Sequence, residues 1–130
     1  MPLVRIDVTE GRTEREIRAI SDAVHEALVA AIGIPADDRF HVITEHAPER
    51  LIFDPAYLGI SRTAGIVILQ IAISSGRTLE QKRALYDLLA RYLEDRASVR
   101  REDVFVNVLE VSKENWSFGN GLAQYAPQGG

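Results

Sequence analysis

The sequence predicts an α/β fold in which two β-α-β units form one mixed sheet with both helices on one face. Strand-like and helix-like hydrophobic patterns alternate twice along the 130 residues. The second pattern repeats the first without a gap, since the turn at Gly11 recurs 65 residues later at Gly76. Parallel β-α-β crossovers are right-handed, so the two helices should lie on the same side of the sheet.

The first unit opens with a strand and an amphipathic helix. Leu3–Val8 alternates apolar and polar residues, as expected of a strand with one buried face. Thr13 and Glu16 have the spacing of a capping box, which predicts a helix that starts at Glu14. The helix should extend to Ala31, because apolar residues recur at intervals of three and four. These residues are Ile17, Ile20, Val24, Leu28 and Ala31.

The first unit then ends in a strand and a connector. Gly33 should terminate the helix, and a loop leads into a strand around Phe40–Thr44. Residues 47–62 contain Pro48 and Pro55 and show no regular hydrophobic period. We interpret them as a connector with room for one turn of helix.

The second unit repeats this order with a more apolar strand. Ile66–Ile73 is almost continuously hydrophobic, as is typical of a central strand. A turn at 74–78 precedes a helix that runs from Leu79 through Leu93, and Val104–Val111 forms the closing strand. The segment 116–121 contains alternating aromatic residues and two glycines, so we predict a short C-terminal hairpin.

Identities between the two units indicate an internal duplication. Gly11-Arg12-Thr13 aligns with Gly76-Arg77-Thr78, Asp22 with Asp87, Leu28 with Leu93, Asp38 with Asp103, Phe40 with Phe105, and Glu45 with Glu110. We expect one domain, residues 1–130, with halves at about 1–60 and 61–130. Helices on one face leave the other sheet face open and apolar, with 66–73 supplying much of it. An oligomer can cover such a face.

Composition excludes several classes of function. A net charge of −4 and a pI near 5.4 argue against nucleic-acid binding, because no basic face is evident. The absence of cysteine excludes disulfides and thiolate zinc sites. His25, His41 and His46 lack a metal-binding spacing. Without a signal peptide or an 18-residue apolar run, we expect a cytoplasmic protein that does not contact membranes.

Pro2 is the first candidate catalytic residue. If Met1 is removed, the nitrogen of Pro2 becomes a free secondary amine. An α-amine has an ordinary pKa of about 8, so modest desolvation or a nearby charge can bring its pKa to neutrality. Such an amine can act as a general acid or base. The alternative is that Pro2 merely starts a strand.

The chain resembles the tautomerase superfamily, whose members use an N-terminal proline, and within it is most similar to malonate semialdehyde decarboxylase. The likeness runs nearly end to end. It is carried by Pro2, Gly11-Arg12-Thr13, Asp38-Arg39, Arg77-Thr78 with Glu80-Gln81-Lys82, and Trp116-Ser117-Phe118-Gly119 followed by Gly121 and Ala123-Gln124. The resemblance implies a homotrimer with active sites between subunits, and neither a metal nor an organic cofactor.

The resemblance also implies roles for individual residues. Pro2 would be the catalytic amine, Asp38 its carboxylate partner, and Arg77 a catalytic and substrate-binding residue that holds the substrate carboxylate. Trp116 and Phe118 would wall the pocket. Each residue also has a purely structural interpretation, as a turn residue, a loop acid or part of a hairpin core.

One position departs from the decarboxylase pattern. A second arginine is expected two residues before Arg77, and Ser75 stands there. We assign Ser75 to the substrate-binding residues by this position. A single guanidinium can still bind a carboxylate through two hydrogen bonds, so Arg77 alone is sufficient for anchoring.

The residues leave three functions open, and the charge of Pro2 separates the first two. A protonated Pro2 would stabilise the enolate formed when malonate semialdehyde loses carbon dioxide and becomes acetaldehyde. A neutral Pro2 would move a proton, as in keto–enol tautomerisation of phenylenolpyruvate-like enol acids. In either case the substrate is a small oxo acid. The third possibility is a non-catalytic binding protein of the same fold.

Overall fold

Four strands and two long helices organise the chain in the computed structural model, which describes residues 1–127. The elements are β1 (Leu3–Thr9), α1 (Glu14–Ile32), β2 (His41–His46), β3 (Val67–Ser74), α2 (Leu79–Ala97) and β4 (Val104–Val111). This order confirms the predicted alternation, with boundaries that differ by one or two residues in β2 and β3. Short 3₁₀ turns lie in the connector 47–62, before β4 and after it.

The sheet joins two parallel pairs through an antiparallel centre. Its strand order is β2-β1-β3-β4, with β1–β2 and β3–β4 parallel. β1 and β3 are antiparallel, so that Leu3 pairs with Ala72 and Val8 with Val67. The beginnings of β1 and β2 therefore lie at the same end of the sheet as the ends of β3 and β4. We call this the Pro2 end and the opposite end the Val67 end.

The core lies between one face of the sheet and both helices, as predicted. Alternate residues of the central strands are fully buried against the helices. They include Val4, Ile6 and Val8 of β1, Leu69 and Ile71 of β3, Val24 and Leu28 of α1, and Leu85, Leu89 and Leu93 of α2. Burial of this apolar surface is the main stabilising contribution to the fold.

The two helices begin in the same way. Thr13 and Thr78 each form a capping box, in which the threonine Oγ accepts from the N–H three residues later at 3.1 Å. Both helices are 19 residues long, and their bounds differ by 65 residues at each end. α1 ends at Gly33, whose φ of 77° is the left-handed conformation that glycine adopts readily.

The open sheet face mixes apolar and polar residues, which corrects the expectation of an apolar face supplied by residues 66–73. β3 buries Val67, Leu69, Ile71 and Ile73 against the helices and presents Ile68, Gln70 and Ala72 to the open face. Phe105 and Leu109 of β4 add apolar surface there. No helix among residues 1–127 is long and apolar enough to cross a membrane.

The predicted C-terminal hairpin is wrong, because residues 112–127 contain no strand. Gly119, Asn120 and Gly121 all have positive φ, which is incompatible with an extended chain. The Gln124 side chain closes this loop. It accepts a hydrogen bond from the Phe118 N–H and donates one to the Gly119 carbonyl, both at 2.9 Å.

Candidate active site

Three separate segments meet at the Pro2 end of the sheet and enclose a cavity of about 430 Å³. They are the N-terminus, the start of β2 and the segment after β4. The lining residues are Met1, Pro2, Leu3, Phe40, Asn115, Trp116, Ser117 and Phe118. Pro2, Trp116 and Phe118, which the sequence singled out separately, therefore lie around one cavity.

Aromatic rings from the tail form one wall of this cavity. Trp116 and Phe118 stack with ring centroids 5.4 Å apart, and Tyr125 packs edge-on against Phe118 at 4.6 Å. The Trp116 indole N–H donates to Ser74 Oγ at 3.1 Å, which fixes the ring against the end of β3. Sequence reasoning missed Ser74 and Tyr125, and also Phe40, an exposed aromatic residue two positions after Asp38.

Asp38 is a buried carboxylate beside the N-terminus. Its side chain is 8% exposed, and Oδ2 lies 3.8 Å from the Met1 ammonium nitrogen. Oδ1 is buried and accepts no hydrogen bond from any group within residues 1–127. A buried acceptor without a partner is costly, so a donor or cation placed beside it would be strongly stabilised.

Met1 determines where the positive charge lies. While Met1 is present, Pro2 has an amide nitrogen and the α-amine belongs to Met1, which itself lines the cavity. Removal of Met1 would transfer the amine to Pro2, a buried residue at the start of β1. It would also enlarge the cavity on the side that Met1 lines.

Arg77 and Ser75 lie at the Pro2 end but are not among the lining residues of the cavity. Arg77 donates through Nη1 to the Ile32 carbonyl at 3.2 Å, at the C-terminal end of α1. A cation is favourable there, because the last turn of α1 has no basic residue to balance its unpaired carbonyls. The Ser75 N–H and Oγ both contact the Val111 carbonyl, at 2.9 and 3.2 Å.

The Val67 end holds the counterparts of Asp38 and Arg77. Asp103 is 2% exposed and accepts two hydrogen bonds from Thr63, from its N–H at 2.7 Å and its hydroxyl at 2.6 Å. Arg12 donates to the Gly65 carbonyl at 2.7 Å. Both side chains therefore bind the segment that leads into β3.

A second polar cluster lies beside α1 and β2, around a cavity of about 320 Å³. Ser21 Oγ lies 2.7 Å from His41 Nδ1, and Arg39 donates to Asp22 at 2.6 Å. Burial, followed by the charge of Arg39, lowers the pKa of His41 to about 4. The hydrogen bond from Arg39 lowers the pKa of Asp22. Within residues 1–127, no group of three or more histidine or acidic side chains is arranged to hold a metal ion.

The fold and this site define a member of the tautomerase family. Two family models described as tautomerase enzyme match the chain, one over residues 38–119 and the other over residues 2–60. The first covers more than half of the sequence. The chain therefore belongs to the tautomerase family.

Individual relatives match along nearly the whole chain. The probable tautomerase YusQ of Bacillus subtilis is 37% identical over 95% of this chain and 98% of its own. A malonate semialdehyde decarboxylase inhibited by 3-bromopropiolate is 41% identical, with a TM-score of 0.89 over 95% of this chain and 93% of its own. A fused 4-OT that forms a symmetric trimer is 23% identical, with a TM-score of 0.78 over 95% and 97%, and shares the fold.

Proposed function

We propose that the chain, after loss of Met1, is a cofactor-independent malonate semialdehyde decarboxylase that uses the amine of Pro2. The observation that carries this proposal is the buried Asp38 carboxylate, which lies beside the α-amine of Met1 and has one oxygen that accepts no hydrogen bond from residues 1–127. A carboxylate in that position favours a protonated amine. Similarity to a solved decarboxylase at 41% identity supports the choice of reaction.

The reaction needs a cation near the substrate carbonyl. Protonated Pro2 donates a hydrogen bond to the aldehyde oxygen of malonate semialdehyde. The bond between C2 and the carboxylate carbon breaks, carbon dioxide leaves, and the electron pair forms an enolate that the Pro2 cation stabilises. The methylene carbon then takes one proton from solvent to give acetaldehyde. Pro2 keeps its own proton throughout.

Arg77 is proposed to hold the substrate carboxylate, with Trp116 and Phe118 limiting the access of water. Its Nη1 binds Ile32, which leaves the other guanidinium N–H groups for an anion. Ser75 is exposed in the same turn, and its hydroxyl, which donates to the Val111 carbonyl, is proposed to turn toward the substrate in place of a second arginine. We therefore expect one guanidinium to bind the substrate.

Keto–enol tautomerisation is the second candidate, and the relative named as a probable tautomerase favours it. In this reaction a neutral Pro2 removes a proton from an enol acid such as phenylenolpyruvate and returns it at carbon. Burial of Pro2 favours the neutral amine, in opposition to Asp38. The two reactions therefore require opposite charge states of one group.

A homotrimer is part of the proposal. The open sheet face and the connector carry exposed apolar side chains, among them Phe105, Leu109, Ile52 and Leu58. Exposed patches of this kind mark protein contacts, and the related fused 4-OT is a trimer. Sedimentation at micromolar concentration should give three times the chain mass. A stable monomer would exclude a site shared between subunits.

The deciding experiment compares both substrates on protein whose intact mass shows that Met1 is absent. Malonate semialdehyde should be consumed with release of acetaldehyde, and the rate should fall on the alkaline side as Pro2 loses its proton. Asp38→Asn should move that alkaline limb to lower pH, because the neighbouring negative charge is gone. Activity only on phenylenolpyruvate, rising with pH, would establish the tautomerase instead. If the protein consumes neither substrate, the non-catalytic binding function is favoured.

A second readout does not depend on turnover. 3-Bromopropiolate is an electrophilic acid, and the neutral fraction of the Pro2 amine should add to its triple bond, with a mass increase confined to the N-terminal peptide. The labelling rate should saturate with reagent concentration, because the carboxylate binds before the amine reacts. The half-saturating concentration then measures reversible binding of the reagent, and its change in Arg77→Ala measures the contribution of the carboxylate.

A further inference from the structure

Residues 75–78 form the turn that carries Arg77. This turn contacts β4 directly through Ser75, and the helix that follows it contacts β4 through an ion pair. Gly76 has a φ of 115°, a conformation that lets the chain reverse between β3 and α2. Ser75 contacts the carbonyl of Val111, the last residue of β4. The place of Arg77 therefore depends on how the end of β4 meets the start of α2.

One carboxylate lies at that junction. Glu110 precedes Val111 on β4, pairs with Ile73 of β3, and forms an ion pair with Lys82 in the first turns of α2. The hydrogen bond and charge of Lys82 lower the pKa of Glu110, and the Gly76 N–H contributes in the same direction. Glu110 thus joins the end of β4 to the first turns of α2, the helix that follows the turn of Arg77.

The other half of the chain lacks this arrangement. The counterparts of Glu110 and Gly76 are Glu45 and Gly11, but Ile17 stands at the position of Lys82. Glu45 is exposed and forms no ion pair with any residue from 1 to 127. The Glu110–Lys82 pair therefore belongs to the Pro2 end alone, where the proposed substrate carboxylate would bind.

We propose that Glu110 and Lys82 are positioning residues, which fix the turn of Arg77 so that its guanidinium meets the carboxylate of the substrate. This inference rests on the proposed role of Arg77 as the carboxylate anchor. Misplacement of a binding group by about 1 Å can cost about 100-fold in rate, so holding one turn has a measurable effect. Neither side chain touches the substrate.

The test uses 3-bromopropiolate labelling of Pro2 in Met1-free protein. Glu110→Ala removes the carboxylate that pairs with Lys82, and should raise the half-saturating concentration about tenfold with the maximal labelling rate unchanged. Lys82→Met removes the ion pair alone and should raise it about threefold. The double variant should be no worse than Glu110→Ala, because both substitutions act through one contact.

Conservative and matched variants provide the controls. Lys82→Arg keeps the charge and should behave like the wild type, and Glu45→Ala should leave the half-saturating concentration unchanged. An exposed ion pair contributes little to stability, so thermal midpoints should shift by only a few degrees. A pair with a merely structural role would lower the midpoint without changing the half-saturating concentration.

Three negative results have different meanings. If Arg77→Ala raises the half-saturating concentration and Glu110→Ala does not, the positioning role is wrong and the anchor role of Arg77 stands. If Arg77→Ala has no effect on labelling, Arg77 does not bind the carboxylate, and both ideas fail. If the protein does not decarboxylate malonate semialdehyde but its labelling depends on both Arg77 and Glu110, the proposed reaction is wrong and the positioning role stands.

Discussion

Asp38 and Asp103 are counterparts in the two halves of the chain, yet their surroundings differ. Both are buried, and each follows a helix and precedes a parallel edge strand. Asp103 accepts two short hydrogen bonds from Thr63. Asp38 has one oxygen without a hydrogen bond from residues 1–127 and the other 3.8 Å from an ammonium group. The chain supplies hydrogen bonds to both oxygens of Asp103, whereas Asp38 can still accept one from another group.

The difference follows from chain connectivity. At the Val67 end the chain continues through residues 63–66 into β3, and the backbone and side chain of Thr63 satisfy the acid. At the Pro2 end the ammonium group of Met1 occupies the corresponding place. The same residue type is thus a structural acid at one end and a candidate catalytic partner at the other.

Blocking the amine should have the largest effect. Protein that keeps Met1, or carries uncleaved residues before Pro2, should lose all decarboxylase activity, because an amide nitrogen cannot carry the proton. Circular dichroism should show an intact fold. Cleavage that exposes Pro2 should restore the rate, and intact mass verifies each form. Full activity with Met1 in place would exclude Pro2 chemistry.

Removing the arginine at each end should have unequal effects. Arg77→Ala should raise KM for an acid substrate by about 10- to 100-fold, the range expected for losing a charged hydrogen-bonding partner. Arg12→Ala should leave KM unchanged and lower stability, since Arg12 binds the Gly65 carbonyl. Steady-state kinetics and thermal unfolding of both variants test this. Equal changes in KM would show that both arginines only stabilise their turns and that neither binds the substrate.

Replacing each acid should separate stability from pH dependence. Asp103→Asn replaces one of the two carboxylate oxygens that accept hydrogen bonds from Thr63. It should lower the free energy of unfolding by about 1–3 kcal/mol, with an unchanged pH–rate profile. Asp38→Asn should move the alkaline limb of that profile and have a smaller effect on unfolding. Urea titration measures the first quantity. A larger loss of stability in Asp38→Asn than in Asp103→Asn would contradict the comparison.

The smallest expected effect concerns His41, whose counterpart is Val106. Burial lowers the pKa of His41 to about 4, below its ordinary value of 6.5, so the folded state favours the neutral ring. Its contribution is present above pH 6.5 and is lost as the pH falls toward 4. His41→Val should reduce the drop in thermal midpoint between pH 7 and pH 4.5 by a few degrees. An unchanged drop would mean that His41 does not titrate in that interval.

The sequence predicts the fold well, because its local signals agree with one another. Capping-box spacing at Thr13 gave the start of α1, the turn at 74–78 gave the start of α2, and β4 was predicted at its observed bounds. The alternation of apolar residues in β1 also identified the buried face. These features depend on residues close together in the chain, so hydrophobic periodicity, caps and turns reveal them.

The site was only partly predictable. Pro2, Trp116 and Phe118 do line one cavity, but the contact of Arg77 with Ile32 joins residues 45 positions apart and has no local signal. The tail was misread because alternating aromatic residues suggest a strand. Its course is determined instead by three positive φ angles and by Gln124.

The two hydrogen bonds from Thr63 to Asp103 have an evolutionary consequence. Two separate half-length chains would each begin with a free terminus, whereas one continuous chain keeps a single terminus and converts the other into a peptide link. A duplicated chain therefore has half as many amines for the same mass of protein. In exchange, selection acts on the two ends independently: one can be optimised for holding the fold and the other for reactivity.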